Sequence, residues 1–199
     1  MITRKEMTRM LLKEGLLSCL ANNSFESVTV TSLCKASSIT RSTFYLHYSN
    51  IMEIVDDLVD DAIAYSKPGM VDNNNLQTIA NTLSAASNSV LLREAYDSIF
   101  DRLPLCQRII RHKKYLPLFL DEQISEYVLQ RIIGSEKDRQ GLVMAEALGI
   151  SFDVGVSVFV FLVHGLYAIN KEYKWTQSDE WLEAQKVIFE LVYRGLQSK

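Results

Sequence analysis

The segment Val28–Tyr48 reads VTVTSLCKASSITRSTFYLHY and predicts two short helices joined by a tight turn. Val30 and Leu33 are the apolar pair of the first helix. Lys35-Ala36-Ser37-Ser38 leads out of it to Thr40, whose hydroxyl is well placed to cap a second helix that runs through residues 41–47. The second helix is rich in small hydroxyl side chains and also carries arginine and tyrosine.

A pair of helices of this kind is typical of a helix-turn-helix, which inserts its second helix into the major groove of DNA. Short side chains such as Ser42 and Thr43 let the helix backbone approach phosphates. Longer ones such as Arg41, Tyr45 and His47 could reach base edges or the sugar-phosphate backbone. Phe44 and Leu33 face inward and are expected in the core.

Helices are also predicted on both sides of this segment. Apolar residues fall at helical spacing in residues 4–21, for example Leu12 and Leu16. Asn50, followed three residues later by Glu53, resembles a capping box and opens a helix over residues 51–66. Asp56, Asp57, Asp60 and Asp61 lie mostly on the opposite side of that helix from its apolar residues, which predicts a solvated face.

The remainder of the chain also reads as helical, which makes the predicted fold class all-α. The polar stretch 72–75 marks a boundary, and the predicted helices then cover residues 76–101, 105–113, 117–133 (closed by Gly134), 137–148, 152–173 and 178–197. Alternating valines in residues 154–160 would also suit a strand, but a segment of this length among helices favours a helix.

Composition narrows the class of protein. The chain has 199 residues, 48% of them hydrophobic, and a net charge of −3, while residues 1–50 carry six Lys/Arg against three acids. A modestly basic N-terminal region on an otherwise acidic chain suits a polyanion-binding module.

Three cysteines without Cys-x-x-Cys spacing indicate a reducing cytosol. The longest apolar run, residues 154–169, is shorter than the ~20 residues that a membrane-spanning helix needs, so we expect a buried helix, a cytoplasmic protein and no membrane.

Catalytic and metal-binding patterns are not found in the sequence. Asp153 and His164 share a helix face but are separated by three turns, which is beyond hydrogen-bond reach. The histidines and cysteines have no metal-ligand spacing, and no phosphate-binding loop or nucleophile elbow occurs. We therefore expect neither an enzyme nor a cofactor.

The elements TV-x-x-L and ITRSTFY-x-HY, with a helix of about 18 residues before them and a capped one after, resemble those of TetR-type transcriptional regulators. The resemblance covers about residues 8–60. It implies a three-helix DNA-binding domain at residues 1–50 and a C-terminal effector-binding and dimerisation domain at residues 51–199, of which 51–66 is the linking helix. It also implies a homodimer, formed through residues 152–173 and 178–197, that acts as a ligand-responsive repressor at a near-palindromic operator.

The same resemblance implies which residues contact double-stranded DNA: Thr29, Thr31, Lys35, Thr40, Arg41, Ser42, Thr43, Tyr45, His47 and Tyr48, the last in a mixed role. A small-molecule effector would bind between helices in a mostly apolar pocket. Aromatic and histidine side chains are the candidates for its walls: Tyr96, Phe100, Tyr115, Phe119, Tyr127, Phe159 and His164. Plain core packing is the simpler interpretation of each of these residues, because aromatic side chains at helical spacing fill cores first.

The sequence departs from the family pattern at four positions, one of them Met52, which stands where the family usually has an acid. Ser24 and Ser38 stand where the family usually has glycine, and Ile51 stands where it usually has a lysine that contacts phosphate. Loss of that contact would weaken DNA binding. This leaves an alternative open, in which a TetR-like scaffold binds a protein partner as a co-regulator and has little sequence-specific affinity for DNA.

Overall fold

The structure, a computed structural model, describes residues 3–66, 75–103, 107, 108 and 113–197, and these residues are all-α, with no strand among them. Ten α-helices are described: α1 (Arg4–Leu20), α2 (Val30–Ala36), α3 (Arg41–Tyr45), α4 (Met52–Ser66), α5 (Asn75–Ser84), α6 (Ser89–Ser98), α7 (Leu116–Leu120), α8 (Ser125–Leu148), α9 (Phe152–Glu172) and α10 (Asp179–Gln197). Short 3₁₀ turns occur at Phe25–Ser27, Phe100–Arg102 and Lys113–Tyr115.

The chain divides into two compact units. Residues 1–65 and 112–132 form the first, and residues 66–111 and 133–199 form the second. Helix α8 begins in the first unit and ends in the second. Residues 72–74 of the predicted loop and most of the predicted helix 105–113 lie outside the described residues, whereas Asn75, predicted in the loop, is the first residue of α5.

The first unit is built around the apolar sides of α1, α2, α3 and α4. Leu12 and Leu16 of α1, Leu33 of α2 and Phe44 of α3 are fully buried. Gly15 permits the close packing of α1 on α2, because a Cβ atom there would lie 2.0 Å from the Oγ of Ser37. The inward positions predicted for Leu33 and Phe44 are confirmed.

Two predictions about helix limits are wrong. The predicted helix 76–101 is two helices, because the side chain of Asn88 accepts a hydrogen bond from the backbone N–H of Leu91 at 2.9 Å and so starts α6. Gly134 does not end a helix, since α8 continues through it. The break comes earlier, at Asp121, which accepts hydrogen bonds from the backbone N–H groups of Gln123 and Ile124 at 2.9 and 3.2 Å.

The helical prediction for residues 152–173 is confirmed by α9, but the expectation that this helix is buried is only partly met. Gly155, Phe159 and Val163 are among its buried residues, whereas Phe161 is 72% exposed. Among the described helices, α9 alone is long and apolar enough to cross a membrane, and only 28% of its most apolar window is buried. A core helix of a soluble protein passes the same test, so this is weak evidence of a membrane span.

Candidate nucleic-acid interface

Helix α3 begins at a cluster of three hydroxyl groups. Thr40 precedes the helix in an extended conformation, and its Oγ1 accepts a hydrogen bond from the backbone N–H of Thr43 at 3.1 Å. The same oxygen lies 2.8 Å from the Oγ1 of Thr43 and 3.0 Å from the Oγ of Ser42. The predicted cap is confirmed, and it fixes the start of a helix of only five residues.

The buried ring of Phe44 anchors this short helix in the first unit. The ring of Tyr45 meets it edge-on with 5.1 Å between centroids, yet Tyr45 itself is 53% exposed. Arg41 and Ser42 are exposed as well, and Thr43 is half-buried. Helix α3 therefore presents an arginine, two hydroxyl side chains and a tyrosine beside a single apolar anchor.

The turn between α2 and α3 contains a strained residue. Ser38 has a φ of 55°, in the left-handed region where a side chain is disfavoured and glycine is not. Ser24 has a φ of −70°, which any residue adopts. Of the two serines that stand where TetR-type regulators usually have glycine, only Ser38 occupies a position where glycine has a conformational advantage.

Helix α2 and its N-cap residue Thr29 supply three of the residues predicted to contact DNA. The hydroxyl of Thr29 is engaged in a capping box, accepting from the backbone N–H of Ser32 at 3.1 Å while the Ser32 hydroxyl accepts from the N–H of Thr29 at 2.9 Å. Thr29 remains exposed, as do Thr31 and Lys35. The exposed polar side chains of α2 that are not committed to its cap are thus Thr31 and Lys35.

His47 and Tyr48, the two residues at the end of the α3 segment, differ in how far they are buried. His47 is half-buried, and its Nδ1 is enclosed without a hydrogen-bond partner in the part of the chain that the structure describes. Tyr48 is only 3% exposed, so its expected DNA contact requires correction. The hydroxyl of Tyr48 donates to the Oδ2 of Asp57 at 2.6 Å, which makes Tyr48 a positioning residue behind the exposed face of α3.

Asp57 is the centre of a three-residue contact. Arg9 of α1 donates from Nε to the Oδ2 of Asp57 at 3.1 Å, and its guanidinium lies 4.9 Å from the centroid of the Tyr48 ring. Partial burial disfavours the ionised form of Asp57, but the hydrogen bonds from Arg9 and Tyr48 outweigh it and lower the pKa of the carboxyl. Burial, together with the hydrogen bond to Asp57, raises the pKa of the Tyr48 hydroxyl. The phenol therefore stays protonated and the carboxylate ionised.

The other acids of α4 also have partners, which corrects the expectation of a merely solvated face. Asp61 pairs with Lys13 of α1. Asp56 accepts from the hydroxyl of Tyr127 at 2.5 Å and lies 3.3 Å from the Nε of Arg131, while Asp60 lies 2.9 Å from the other end of that guanidinium. The acidic side of α4 thus joins α1 to the part of α8 in the same unit.

These pairs determine which cations of the basic N-terminal region remain available. Arg9 and Lys13 are held by acids of α4. Arg4, Lys5, Lys35 and Arg41 are exposed and have no ion-pair partner within the described ranges. Of these four, Lys35 and Arg41 lie on α2 and α3.

The start of α4 is capped as predicted. The Oδ1 of Asn50 accepts from the backbone N–H of Glu53 at 3.1 Å, and the carboxylate of Glu53 accepts from the N–H of Ser49 at 2.8 Å. Ile51 is half-buried beside this cap and offers no charge to a phosphate.

The residues predicted to line an effector pocket are divided between the two units. Tyr115, Phe119 and Tyr127 belong to the first, where the first two are buried and Tyr127 is bonded to Asp56. The second unit holds the other four, of which Tyr96 and Phe159 are buried and Phe100 and His164 are half-buried: Tyr96, Phe100, Phe159 and His164. Neither unit brings all seven together.

Two features of the first unit are not indicated by the sequence. Leu46 follows α3 and is 80% exposed, which extends the exposed surface of α3 with an apolar side chain. The Arg9–Asp57–Tyr48 contact joins residues up to 48 positions apart, so no local pattern could reveal it. The one signal in the sequence is that Arg9 and Lys13 in α1 have the same spacing as Asp57 and Asp61 in α4, which suits two parallel ion pairs between these helices.

Comparison with known proteins adds no assignment, since no protein-family model matches the chain and no curated protein is significantly similar to it. Within the described residues, no group of three or more His, Cys, Asp or Glu side chains is arranged to hold a metal ion.

Proposed function

We propose that this chain is a DNA-binding transcriptional regulator of the TetR type, which acts as a homodimer at a near-palindromic operator. The observation that supports it best is the construction of α3. One buried residue, Phe44, holds the helix in place, while Arg41, Ser42 and Tyr45 stay exposed on a helix whose start is fixed by Thr40. A short rigid helix with an exposed arginine, hydroxyls and tyrosine suits entry into a major groove.

Helix α2 and its connection to α3 support the same proposal. A first motif helix is expected to face the DNA backbone, and α2 offers exposed Thr31 and Lys35 there. A tight turn is expected between the two helices, and Ser38 adopts the left-handed conformation that such a turn uses. In this proposal Thr29, Thr31, Lys35, Thr40, Arg41, Ser42, Thr43, Tyr45 and His47 contact DNA.

The homodimer is supported by apolar side chains that α9 and α10 leave exposed. Phe152, Val154 and Phe161 of α9 and Val187 and Leu191 of α10 are exposed large hydrophobic residues. Apolar surface on two consecutive long helices suits pairing with the same surface of a second copy. A two-fold dimer would present two α3 helices to successive major grooves, which explains the expected near-palindrome.

Regulation would proceed by a shift of population. An effector that prefers the conformation in which the two α3 helices are wrongly spaced lowers operator affinity by the ratio of its affinities for the two states. We assign the protein the role of a repressor in the cytoplasm, with no catalytic activity and no cofactor.

The experiment is selection of bound fragments from the source genome by the purified full chain, followed by footprinting at two salt concentrations. We expect a protected near-palindrome whose affinity falls with salt. Arg41→Ala should lose most of this affinity, whereas Lys137→Ala, which removes an exposed positive charge from α8 in the second unit, should not. Equal binding by the two variants would contradict the assignment of α3.

A second candidate function is favoured by one observation. Arg9 and Lys13 are held by Asp57 and Asp61, and Ile51 replaces a phosphate-binding lysine, so the region has few cations free for DNA. A TetR-like co-regulator that binds a protein partner would have this property. It predicts that no sequence-specific fragment is recovered even at low salt, whereas the regulator predicts a reproducible site.

A further inference from the structure

Leu46 is the most exposed large hydrophobic residue in the part of the chain that the structure describes, with 80% of its surface accessible. Between residues 21 and 64, all of them described, only one other large apolar side chain is exposed, that of Tyr45. Leu46 therefore contributes little to the core of the first unit. Isolated exposed leucines are common on protein surfaces, so its position, rather than its exposure alone, is what matters.

Helical geometry places Leu46 on the outer side of α3. The backbone N–H of Leu46 donates to the carbonyl oxygens of Ser42 and Thr43 at 3.3 and 3.2 Å, so the helical course continues to this residue. Leu46 follows Ser42 by four residues, which puts the two side chains on one side of the helix. Both are two residues away from the fully buried Phe44, about 200° around the axis. Ser42 and Leu46 therefore form the side of α3 that points away from the core.

We propose that Leu46 is a specificity-determining residue that contacts the 5-methyl group of a thymine in each half-site of the operator. This inference rests on the proposed function and names a base that the DNA-binding surface selects. Leu46 is not among the contacts that the TetR resemblance implies, all of which are polar.

The chemistry of the major groove selects this partner. Thymine alone among the four bases presents a methyl group there, and apolar side chains are the groups that contact it. A leucine placed at a phosphate would instead remove water from a charge without offering a hydrogen bond in return. Leu46 lies about 6 Å further along the helix than Ser42, which is within the groove's width of about 12 Å. A helix that enters the groove with Ser42 therefore brings Leu46 to the base edges as well.

The surroundings of Leu46 favour DNA over a protein partner. Its exposed neighbours on α3 are Arg41, Ser42 and Tyr45. The side chains of Arg41 and of Lys35 on α2 have no ion-pair partner within the described ranges. Protein-docking surfaces are typically contiguous apolar patches, whereas α3 sets one leucine and one tyrosine among an arginine and hydroxyl groups. This mixture suits phosphates, base edges and a thymine methyl group.

The test uses the full chain and the operator that genomic selection recovers. Each thymine of a half-site is replaced in turn by deoxyuridine, symmetrically in both half-sites, which deletes the methyl group and keeps the base pairing. We expect one position at which the natural protein binds about tenfold more weakly, because each half-site loses the burial of one methyl group. Affinity is measured by fluorescence anisotropy at a fixed salt concentration.

Leu46→Ala identifies the residue that senses the methyl group. The variant should bind the natural operator about tenfold more weakly, with unchanged helical content by circular dichroism. Deoxyuridine at the sensitive position should weaken its binding by less than about twofold, because the contact is already lost. The matched control is Leu120→Ala, which shortens a leucine that is 53% exposed on α7 of the same unit. It should keep both the natural affinity and the response to deoxyuridine.

Three results would overturn the contact while an operator is still bound, and so leave the proposed function standing. The first is a natural protein that responds to no deoxyuridine. The second is a Leu46→Ala protein that stays as sensitive as the natural one, because another group then reads the methyl. The third is a Leu46→Ala protein that binds as tightly as Leu120→Ala, which would leave Leu46 to a protein partner. Failure to recover any specific site at low salt overturns the proposed function and the contact together.

Discussion

The hydroxyl of Tyr48 donates to Asp57 at 2.6 Å, so the residue that closes the α3 segment is fastened to the middle of α4. Asp57 also accepts from Arg9, which connects the same point to α1. In a regulator, any displacement of α4 would be transmitted to α3 through this contact. The orientation of α3 thus depends on a charged group as well as on the packing of Phe44.

Tyr48→Phe tests the contact without changing shape. It removes a hydrogen bond to a charged acceptor in a buried setting, so we expect the free energy of unfolding to fall by about 2 kcal/mol. Operator affinity should fall as well, while helical content stays constant by circular dichroism.

Tyr127→Phe is the matched control for Tyr48→Phe, because it removes a phenol–aspartate bond to the same helix in an exposed setting. It should cost less than about 1 kcal/mol and leave operator affinity unchanged. Equal effects of the two variants would show that Tyr48 does not position α3.

The pH dependence of stability should reveal Asp57. Its pKa in the folded protein is lowered below the ordinary value of about 3.9, so its contribution is fully present above that value and is lost as pH falls through the folded pKa. Chemical unfolding at a series of pH values from about 6 down to 3 should therefore show the natural protein losing stability.

Asp57→Asn cannot titrate and should lose less stability than the natural protein over the same interval. Asp60→Asn removes a more exposed carboxylate of the same helix and should follow the natural curve closely. An unaltered pH dependence in Asp57→Asn would contradict the lowered pKa.

Ser38 offers a stabilising substitution. Its left-handed φ of 55° disfavours any side chain, so Ser38→Gly should raise the free energy of unfolding by about 1 kcal/mol. Ser24→Gly is the comparison, because φ there is −70°, and it should be neutral or slightly destabilising. Denaturant unfolding of both variants measures the difference, and a gain from Ser24→Gly but none from Ser38→Gly would contradict the turn geometry.

Replacing the glycines Gly15 in α1 and Gly134 in α8 by alanine should change the free energy of unfolding in opposite directions. Gly15→Ala would place Cβ against the Oγ of Ser37 and 3.3 Å from Leu33, so we expect a loss of about 1–3 kcal/mol. Gly134→Ala meets nothing within 4 Å and should gain about 1 kcal/mol, because alanine is the better helix former. Thermal unfolding checks both, and a stable Gly15→Ala protein would mean that α1 and α2 are less closely packed than the structure has them.

The elements that could be predicted from the sequence are those that local chemistry determines. Thr40 and Asn50 cap the helices that follow them within three residues, and both caps were recognised. The continuation of α8 through Gly134 was not, since glycine weakens a helix only by an amount that packing overrides. The break at Asn88 was missed because the apolar period persists across it.

In the candidate site, too, some placements follow from the local sequence and others depend on distant segments. The exposure of Arg41, Ser42 and Tyr45 follows from helical period, because Phe44 occupies the apolar side. The burial of Tyr48 depends on Asp57 and Arg9, and the contacts of Trp181 with Tyr96 and Asn170 join α10 to α6 and α9. Contacts between segments that lie far apart in the chain leave no local signal.

The exposed apolar surface of α9 predicts the oligomeric state. Phe161 is 72% exposed, so a charged side chain at this position should hardly change the stability of a monomer. In a symmetric dimer formed through α9, both copies of that charge would be buried in the interface. Phe161→Asp should therefore produce a monomer in sedimentation equilibrium at micromolar concentration, with unchanged helical content and much weaker operator binding. Val90→Asp is the matched control, since Val90 of α6 is 67% exposed and lies outside the proposed interface. If Phe161→Asp remains dimeric, or the natural protein is already monomeric, α9 does not form the interface and the paired half-sites lose their physical basis.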